Sequence, residues 1–389
     1  MEKRVYQRRF DIDWLRTLAF MVLILYHVGM YYVADWGWHI KSEETFEFLQ
    51  NIMLLTNPWR MSLLFFISAI ALALVEQKYQ RTSLLKLRSV RLLLPLLFGM
   101  FVIVVPQTYY EALDQSLIEP GFWAFWIEYI NPNTNLLKEH HSPIGLLTWN
   151  HLWFLPYLWV YTVIVLVARR PLRELAQLLA TKSFHPLVLT ISVVALLAMV
   201  WLLLRADFPS THALLDDWYN HGKYFLVFST GYLFASQTNW WQFVIDKRLY
   251  FLVVGIVCYG LAIADRNGAF DALAEAYQTS LSLQLLYSGI LSLNHWAWIF
   301  CVVGYAGAYL NRPSKLLNYS TKAILPWYLL HQTLIIVFAW WLRALDIAVS
   351  IEAVLLVMLT ALGCGVGYEL IRRNRLLRWL SGMKPVEKS

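Results

Sequence analysis

Long apolar stretches, each bounded by charged or Pro- and Gly-rich breaks, recur along the whole chain. A helix needs roughly 20 largely apolar residues to cross the hydrocarbon core of a bilayer. Windows of that length predict an all-α, polytopic integral membrane protein of about ten transmembrane helices. The predicted spans are 14-35, 52-76, 91-107, 147-168, 187-204, 220-236, 249-264, 283-310, 323-343 and 350-371.

The composition excludes a water-soluble enzyme. Hydrophobic residues make up 59% of the 389 residues and charged residues only 15%, whereas an ordinary soluble domain is about 25% charged. Ten spans use about 200 residues, so little of the chain remains for anything but loops and termini. Residues 1-389 are therefore predicted to form a single membrane domain, with a basic cytoplasmic tail over about 372-389.

Basic residues are distributed unevenly between the two sides of the predicted bilayer. Of the 32 Lys and Arg residues, 25 fall on the side of the termini, five on the opposite side, and two within or at the edge of spans. This positive-inside pattern predicts that both termini are cytoplasmic, which requires an even number of spans. The net charge of +7 is accordingly interpreted as membrane topology and not as a nucleic-acid surface.

The first span carries three residues suited to chemistry. Asp13 and Arg16 are three apart near its cytoplasmic end, where such residues pair on a helix. His27 follows eleven residues after Arg16, so the two share a helix face about 16 Å apart along the axis. An ionisable side chain inside a bilayer is costly and is a functional candidate by default. The alternative is a neutral histidine bonded to a neighbouring helix.

Arg60 is a further candidate inside the second span. If that helix begins near Ile52, Arg60 lies about 12 Å below the outer edge, at a depth similar to that of His27. A lone arginine in a span costs about 2.5 to 3.5 kcal/mol, so Arg60 is expected to meet a carboxylate such as Glu111, a cavity or an anionic ligand. Lys223, at the edge of another span, is a second cation that could hold a ligand carboxylate or pair with a protein carboxylate.

Polar residues near the outer ends of other spans predict a pocket open to the outer face. Glu111 follows the third span within a long outer connection, about 107-146, while His151 and Trp153 open the fourth span. Each alone is typical of a membrane interface residue. His331 is a second intramembrane histidine, which either lines the site or bonds between helices.

A basic pair on the inner side suggests a polyanion site. Arg88 and Arg91 precede the third span at i, i+3 spacing and share a helix face. Guanidinium groups bind phosphate well, which favours a docking site for a cytosolic polyanion. Contact with anionic lipid is the alternative, because inner loops are basic in general.

Several motifs in chain order resemble the acyltransferase 3 family of membrane O-acyltransferases, and within it the osmoregulated periplasmic glucan succinyltransferase group (glucan biosynthesis protein C). The resemblance covers nearly the whole chain, and one departure is Ala69, where the family usually has glycine. The motifs are Asp13-x-x-Arg16 with His27, Phe65-Phe-Ile-Ser68, Arg88-x-x-Arg91-Leu-Leu-Leu-Pro95, His151-Leu-Trp-Phe-Leu155 and Tyr328-Leu-Leu-His331.

The resemblance implies a ten-helix protein of the bacterial inner membrane. Its activity would move an acetyl or succinyl group from cytosolic acyl-coenzyme A to a hydroxyl of a periplasmic or surface carbohydrate. Arg16 and His27 match the family's arginine-x10-histidine motif, and Arg88 with Arg91 match the arginine pair associated with the donor. Acyl-coenzyme A is then a co-substrate. No permanently bound cofactor and no metal are expected, and the oligomeric state is left open.

Two mechanisms and two other functions remain open at this level. His27 could act as general base on the acceptor hydroxyl while Arg60 or another donor stabilises the oxyanion, or His27 could itself carry the acyl group. Buried charges also line transport paths, so a transporter or flippase for a glycan or lipid-linked sugar is the alternative. A purely structural membrane partner is the third class, and it predicts that the buried His and Arg are replaceable.

Overall fold

The computed structural model describes residues 8-142, 144-182 and 184-384. Within them the secondary structure is helical, with two isolated β-bridges and no β-strand, so the all-α prediction is confirmed. The last residues of the predicted tail, 385-389, lie outside the described part. The α-helices are α1 (Phe10–Tyr32), α2 (Glu47–Leu54), α3 (Arg60–Val75), α4 (Arg81–Phe98), α5 (Val105–Asp114), α6 (Phe122–Ile130), α7 (Phe154–Val167), α8 (Arg169–Thr181), α9 (Pro186–Leu204), α10 (Trp218–Phe234), α11 (Thr238–Asp246), α12 (Arg248–Arg266), α13 (Ala274–Thr279), α14 (Leu281–Tyr309), α15 (Lys315–Arg343), α16 (Val349–Arg373) and α17 (Arg375–Leu380).

Nine helical stretches of the described residues are long and apolar enough to cross a membrane. They confirm the prediction of a polytopic membrane protein. The predicted span 220-236 corresponds to α10, which has 17 residues and is the shortest of the ten apolar segments. The nine are Phe10–Tyr32, Arg60–Lys78, Arg81–Asp114, Asn150–Val167, Pro186–Leu204, Arg248–Arg266, Leu281–Tyr309, Lys315–Arg343 and Val349–Arg373.

The start of the predicted second span, 52-76, is wrong. The short helix α2 ends at Leu54, a turn occupies 55-59, and α3 begins only at Arg60. Pro58 explains the break, because the residue before a proline avoids the helical conformation. Arg60 therefore lies in the first turn of α3 and not eight residues inside a span.

The third span is longer than the predicted 91-107. Helices α4 and α5 are joined by a π-helical turn, Gly99–Ile103, into one stretch from Arg81 to Asp114. Pro106 fits the first turn of α5, where its missing N–H costs nothing. A side chain at Gly99 would collide with Leu152. Much of the predicted outer connection 107-146 is thus helical, since α6 follows.

The chain divides into two compact units, each assembled from three separate segments. Unit 1 comprises the described residues of Met1–Ala19, Leu54–Leu85 and Val160–Asn318. Its centre is aromatic, with Phe66, Trp296 and Phe300 fully buried. Gly231 allows α10 to lie directly against α3, because a Cβ there would come within 2.5 Å of the Phe66 carbonyl oxygen.

Unit 2 comprises Phe20–Met53, Lys86–Trp159 and the described residues of Tyr319–Ser389. Within it, the Lys41 ammonium satisfies carbonyl groups at and beyond the end of α1, including Met30 (2.8 Å) and Trp36 (3.0 Å). Burial lowers the pKa of Lys41, and the nearby Asp35 partly opposes the shift. This contact closes the end of the helix that carries His27, because terminal carbonyls otherwise lack partners.

The charge asymmetry predicts the orientation of these spans. Reporter fusions at the C-terminus and after Asp265 are expected to report opposite sides of the membrane, with the C-terminus cytoplasmic. The measurement is the activity of a reporter that works only outside the cytoplasm. A C-terminal fusion active outside would contradict ten spans.

Candidate functional site

A pair of histidines forms the centre of unit 2. His27, on α1, places its Nδ1 atom 3.1 Å from Nε2 of His331, on α15. His331 is fully buried, and His27 is partly exposed. Phe20, on the same helix as His27, packs edge-on against the His331 ring at 5.4 Å. The two intramembrane histidines found in the sequence are therefore in direct contact.

The partners of His331 assign the protons of this pair. Its Nδ1 atom lies 2.8 Å from the carbonyl oxygen of Tyr328, and a carbonyl only accepts, so Nδ1 carries the hydrogen. Nε2 of a neutral His331 is then an acceptor, and the Nδ1–H of His27 donates to it. The lone pair of His27 consequently resides on Nε2. A neutral imidazole with an unprotonated nitrogen can act as a general base.

His151 extends this polar centre. It lies in the 3-10 turn Asn150–Trp153, and its ring is 5.1 Å from that of His331, centroid to centroid. Nε2 of His151 is 3.1 Å from the Tyr328 carbonyl oxygen. Gln107 donates to Nδ1 of His151 at 3.2 Å. His151 is therefore neutral, with its hydrogen on Nε2.

The π-helical turn in the third span positions Gln107 and opens a backbone acceptor. Thr333 donates to the carbonyl oxygen of Ile103 at 2.6 Å, and Gln107 donates to the Thr333 hydroxyl at 2.7 Å. Gln107 also accepts from Asn150 at 3.0 Å and from Gln332 at 3.1 Å. π-turns of this kind frequently occur at functional sites. Here the turn joins the third span to α15.

Glu111, on α5, ends this network. Its carboxylate lies 2.6 Å from Nδ1 of His39, and Nε2 of His39 accepts from Gln332 at 3.0 Å. Glu111 belongs to α5 and not to a loop, and its partner is the His39 ring. The hydrogen bonds thus run continuously from His151 through Gln107 and Gln332 to a carboxylate.

Trp153 lies beside this network, two residues after His151 in the same 3-10 turn. Its ring packs edge-on against Tyr157 at 5.4 Å. The side chain is half-buried, so part of it stays accessible to a ligand. The proposed substrate contact of Trp153 stays a prediction.

Asp13 and Arg16 form the predicted pair in unit 1. Their side chains are 3.9 Å apart, and Arg8 binds the other carboxylate oxygen of Asp13 at 2.7 Å. One carboxylate therefore serves two guanidinium groups at the start of α1. The predicted pairing of Asp13 with Arg16 is confirmed. The catalytic role of both residues stays a prediction.

Arg60 also belongs to unit 1. Its guanidinium donates to the Asn57 side-chain oxygen, in the turn before α3, at 3.0 Å. The expected depth match with His27 rested on a helix beginning near Ile52, and that boundary is wrong. The role of Arg60 as oxyanion donor stays a prediction.

Arg88 and Arg91 share a face of α4 in unit 2, and neither is fully buried. Between them, Ser89 accepts a hydrogen bond from the Trp159 indole at 2.9 Å. The turn after α17 closes on the same helix, since a Cβ at Gly382 would lie 2.9 Å from the Arg91 carbonyl oxygen. Gly382 has φ +67, a conformation that favours glycine. The C-terminal segment thus borders the basic pair.

Comparison with known proteins decides the family. A family model described as an acyltransferase domain matches residues 9–369, which is most of the chain. The chain belongs to the acyltransferase 3 family. Searches of curated proteins and of solved structures each found no match. The protein is therefore a membrane acyltransferase, and both histidines of the central pair lie within the matched region.

Several polar residues of this acyltransferase were missed by the sequence analysis. Gln107, His39 and Gln332 all join the network of unit 2. Gln332 follows His331 directly inside an apolar span, which was a usable signal. His39 lies in a loop, where nothing in the sequence distinguishes it. His295 was also missed, although it is an ionisable residue inside the predicted span 283-310.

The described residues contain no group of three His, Cys, Asp or Glu side chains arranged to hold a metal ion. The three cysteines, Cys258, Cys301 and Cys364, are separate and buried.

Proposed function

We propose that this acyltransferase moves an acetyl or succinyl group from cytosolic acyl-coenzyme A to a hydroxyl of a periplasmic or cell-surface carbohydrate in a bacterial inner membrane. The observation that carries the proposal is the His27–His331 pair, with the lone pair of His27 on Nε2. A base in this state can take the proton of an attacking hydroxyl. The family supplies the acyl chemistry.

In a direct transfer, the acyl group passes from the thioester to the acceptor hydroxyl without a covalent enzyme intermediate. The acceptor hydroxyl gives its proton to Nε2 of His27 as its oxygen attacks the thioester carbonyl. The carbon–sulfur bond then breaks, and the protonated His27 returns the proton to the departing thiolate. His331 stabilises the imidazolium through the hydrogen bond at 3.1 Å. Transfer through an acyl-histidine uses the same nitrogen as nucleophile.

The identity of the transferred acyl group is determined by experiment. Mass spectrometry of periplasmic and surface glycans, with and without the gene, is expected to show an acyl group that disappears with the gene and returns with the wild-type copy. A loss of 100 or of 42 mass units per group would name succinyl or acetyl, respectively. Unchanged glycans would contradict the proposed acceptor class.

The contact between the two histidines predicts a positioning role for His331. His331→Phe removes the acceptor for the His27 Nδ1–H and is expected to lower turnover about tenfold or more, since an oriented hydrogen bond contributes about 1 to 2 kcal/mol. His331→Gln keeps an acceptor oxygen and is expected to recover most of the turnover. Rates and donor affinity would be measured on folded protein in nanodiscs. Equal rates for the Phe and Gln variants would remove His331 from the mechanism.

A further inference from the structure

A cluster of basic side chains lies in unit 1, whereas the histidine pair belongs to unit 2. Lys223, on α10, lies close enough to Arg60 and Arg205 to interact electrostatically with both. Asp217 is the carboxylate that attracts it. The charges that act on Lys223 are thus two further cations and one carboxylate. A negatively charged ligand would lower the electrostatic cost of bringing these cations together.

Asp217 is already engaged by neutral donors. Its side chain is fully buried, and the Asn220 amide donates to both of its oxygens, at 3.1 and 3.0 Å. The backbone N–H groups of Thr211 and His212 donate at 3.2 Å each. These neutral donors stabilise the carboxylate in its charged form, so Asp217 supplies one negative charge to the cluster.

Lys223 makes no ion pair with any residue of the described ranges. Its ammonium instead lies over the rings of Tyr224, at 4.3 Å, and Tyr219, at 5.0 Å from the centroids. Arg205 lies over the Tyr219 ring at 5.5 Å. Aromatic faces hold a cation in place while leaving its hydrogen-bond donors for another group.

The positive charges of this cluster also act on His212. It lies in the loop before α10, outside the membrane-spanning segments. Burial lowers its pKa to about 4, and the charges of Lys223 and Arg60 contribute in the same direction against Asp217. The imidazole is therefore neutral at physiological pH, and the net charge of the cluster comes from its Lys and Arg members.

His295, on α14, supplies the independent observation. It is 4% exposed, and its Nε2 atom has no hydrogen-bond partner among the described residues. Its ring lies within hydrogen-bonding reach of the Pro58 carbonyl, and Lys223 is its charged neighbour. Because the carbonyl requires a donor, Nδ1 carries the hydrogen and Nε2 is a buried acceptor. A buried polar atom without a partner calls for a ligand or solvent.

We propose that Lys223, Arg60 and Arg205 bind a phosphate group, and that a hydroxyl of this group or next to it donates to Nε2 of His295. Cations alone would accept any anion. The buried acceptor beside them selects an anion that also donates a hydrogen bond, which protonated phosphate does and carboxylate or sulfate do not. Free phosphate and the phosphate of a glycerol-bearing lipid headgroup both fit this chemistry.

Thermal unfolding of the full chain in phosphatidylcholine nanodiscs tests the site, because a ligand of the folded state raises the melting temperature. Inorganic phosphate is titrated against sulfate and succinate at equal ionic strength. Lys223→Met is expected to weaken phosphate binding at least about tenfold. Lys322→Met, which removes an exposed lysine, is the matched control and should bind as the wild type does. His295→Phe is expected to erase the preference for phosphate over sulfate.

The source of the phosphate is identified in a second arm. If the ligand is a lipid headgroup, nanodiscs containing phosphatidylglycerol are expected to raise the melting temperature of the wild type but not that of Lys223→Met. If the ligand is free phosphate, only inorganic phosphate is expected to raise the melting temperature of the wild type. Arg205→Met replaces Lys223→Met should the latter fail to fold. Wild-type protein that responds to neither source, equal responses to phosphate, sulfate and succinate, or unchanged affinity in the Lys223 variant would each overturn the proposal.

Discussion

His27→Gln is expected to yield a folded, donor-binding protein whose turnover is about 10² to 10⁴ lower than that of the wild type. Glutamine preserves polarity and can still bond to His331, but it cannot accept a proton at neutral pH. The donor affinity should change little, because the imidazole acts on the acceptor proton. Turnover is measured as thiol release from acyl-coenzyme A, and folding as the melting temperature.

His140→Gln is the matched control for this variant. His140 is exposed at the end of a 3-10 turn in unit 2, so its replacement should leave turnover unchanged. A purely structural His27 predicts instead that the glutamine variant keeps activity whenever it folds. Near-native acyl transfer by well-folded His27→Gln would therefore exclude His27 as the base and leave His151 or His331 as candidates.

The double variant Arg88→Ala with Arg91→Ala is expected to weaken acyl-coenzyme A binding at least tenfold while the protein remains inserted and folded. Each charge-assisted hydrogen bond to phosphate contributes roughly 1.5 to 3 kcal/mol. Both residues lie on one face of α4 and keep part of their surface accessible, so the loss should appear in donor affinity more than in stability. Affinity is measured by isothermal titration in nanodiscs.

The control for the donor site removes two exposed basic residues from another part of the chain, Arg312→Ala with Lys315→Ala. This pair lowers the positive charge of the protein equally, so a general electrostatic effect would weaken both double variants alike. Unchanged donor affinity in the Arg88 and Arg91 variant would place the donor elsewhere, with the end of α15 that is predicted to be cytoplasmic as the next region to examine.

The sequence predicted those features that depend on local pattern. Hydropathy located the spans because each must be apolar over its own length, and the spacing of Asp13 and Arg16 predicted their pairing within one helix turn. The start of α3 was predicted wrongly because an apolar window does not register the turn at 55-59 that precedes Arg60. Hydropathy alone likewise could not foresee the π-turn at Gly99–Ile103.

The candidate site depends on contacts between distant segments, which periodicity cannot supply. His27 and His331 were identified as two separate intramembrane histidines, and only the packing of α1 and α15 shows them 3.1 Å apart. The partner of Glu111 was sought among arginines, whereas the structure provides the loop residue His39. Choosing such partners requires the tertiary arrangement.

The most direct test of the central claim is coupled acyl transfer by the purified chain in nanodiscs. Acetyl-coenzyme A or succinyl-coenzyme A is supplied with glucan oligosaccharides, and thiol release is compared with the acyl mass gained by the acceptor. We expect one acyl group on the carbohydrate for each thiol released by the wild type, and almost none from His27→Gln. Passage of a glycan across the membrane without thioester cleavage, or acyl transfer undiminished in folded His27→Gln, would contradict the account.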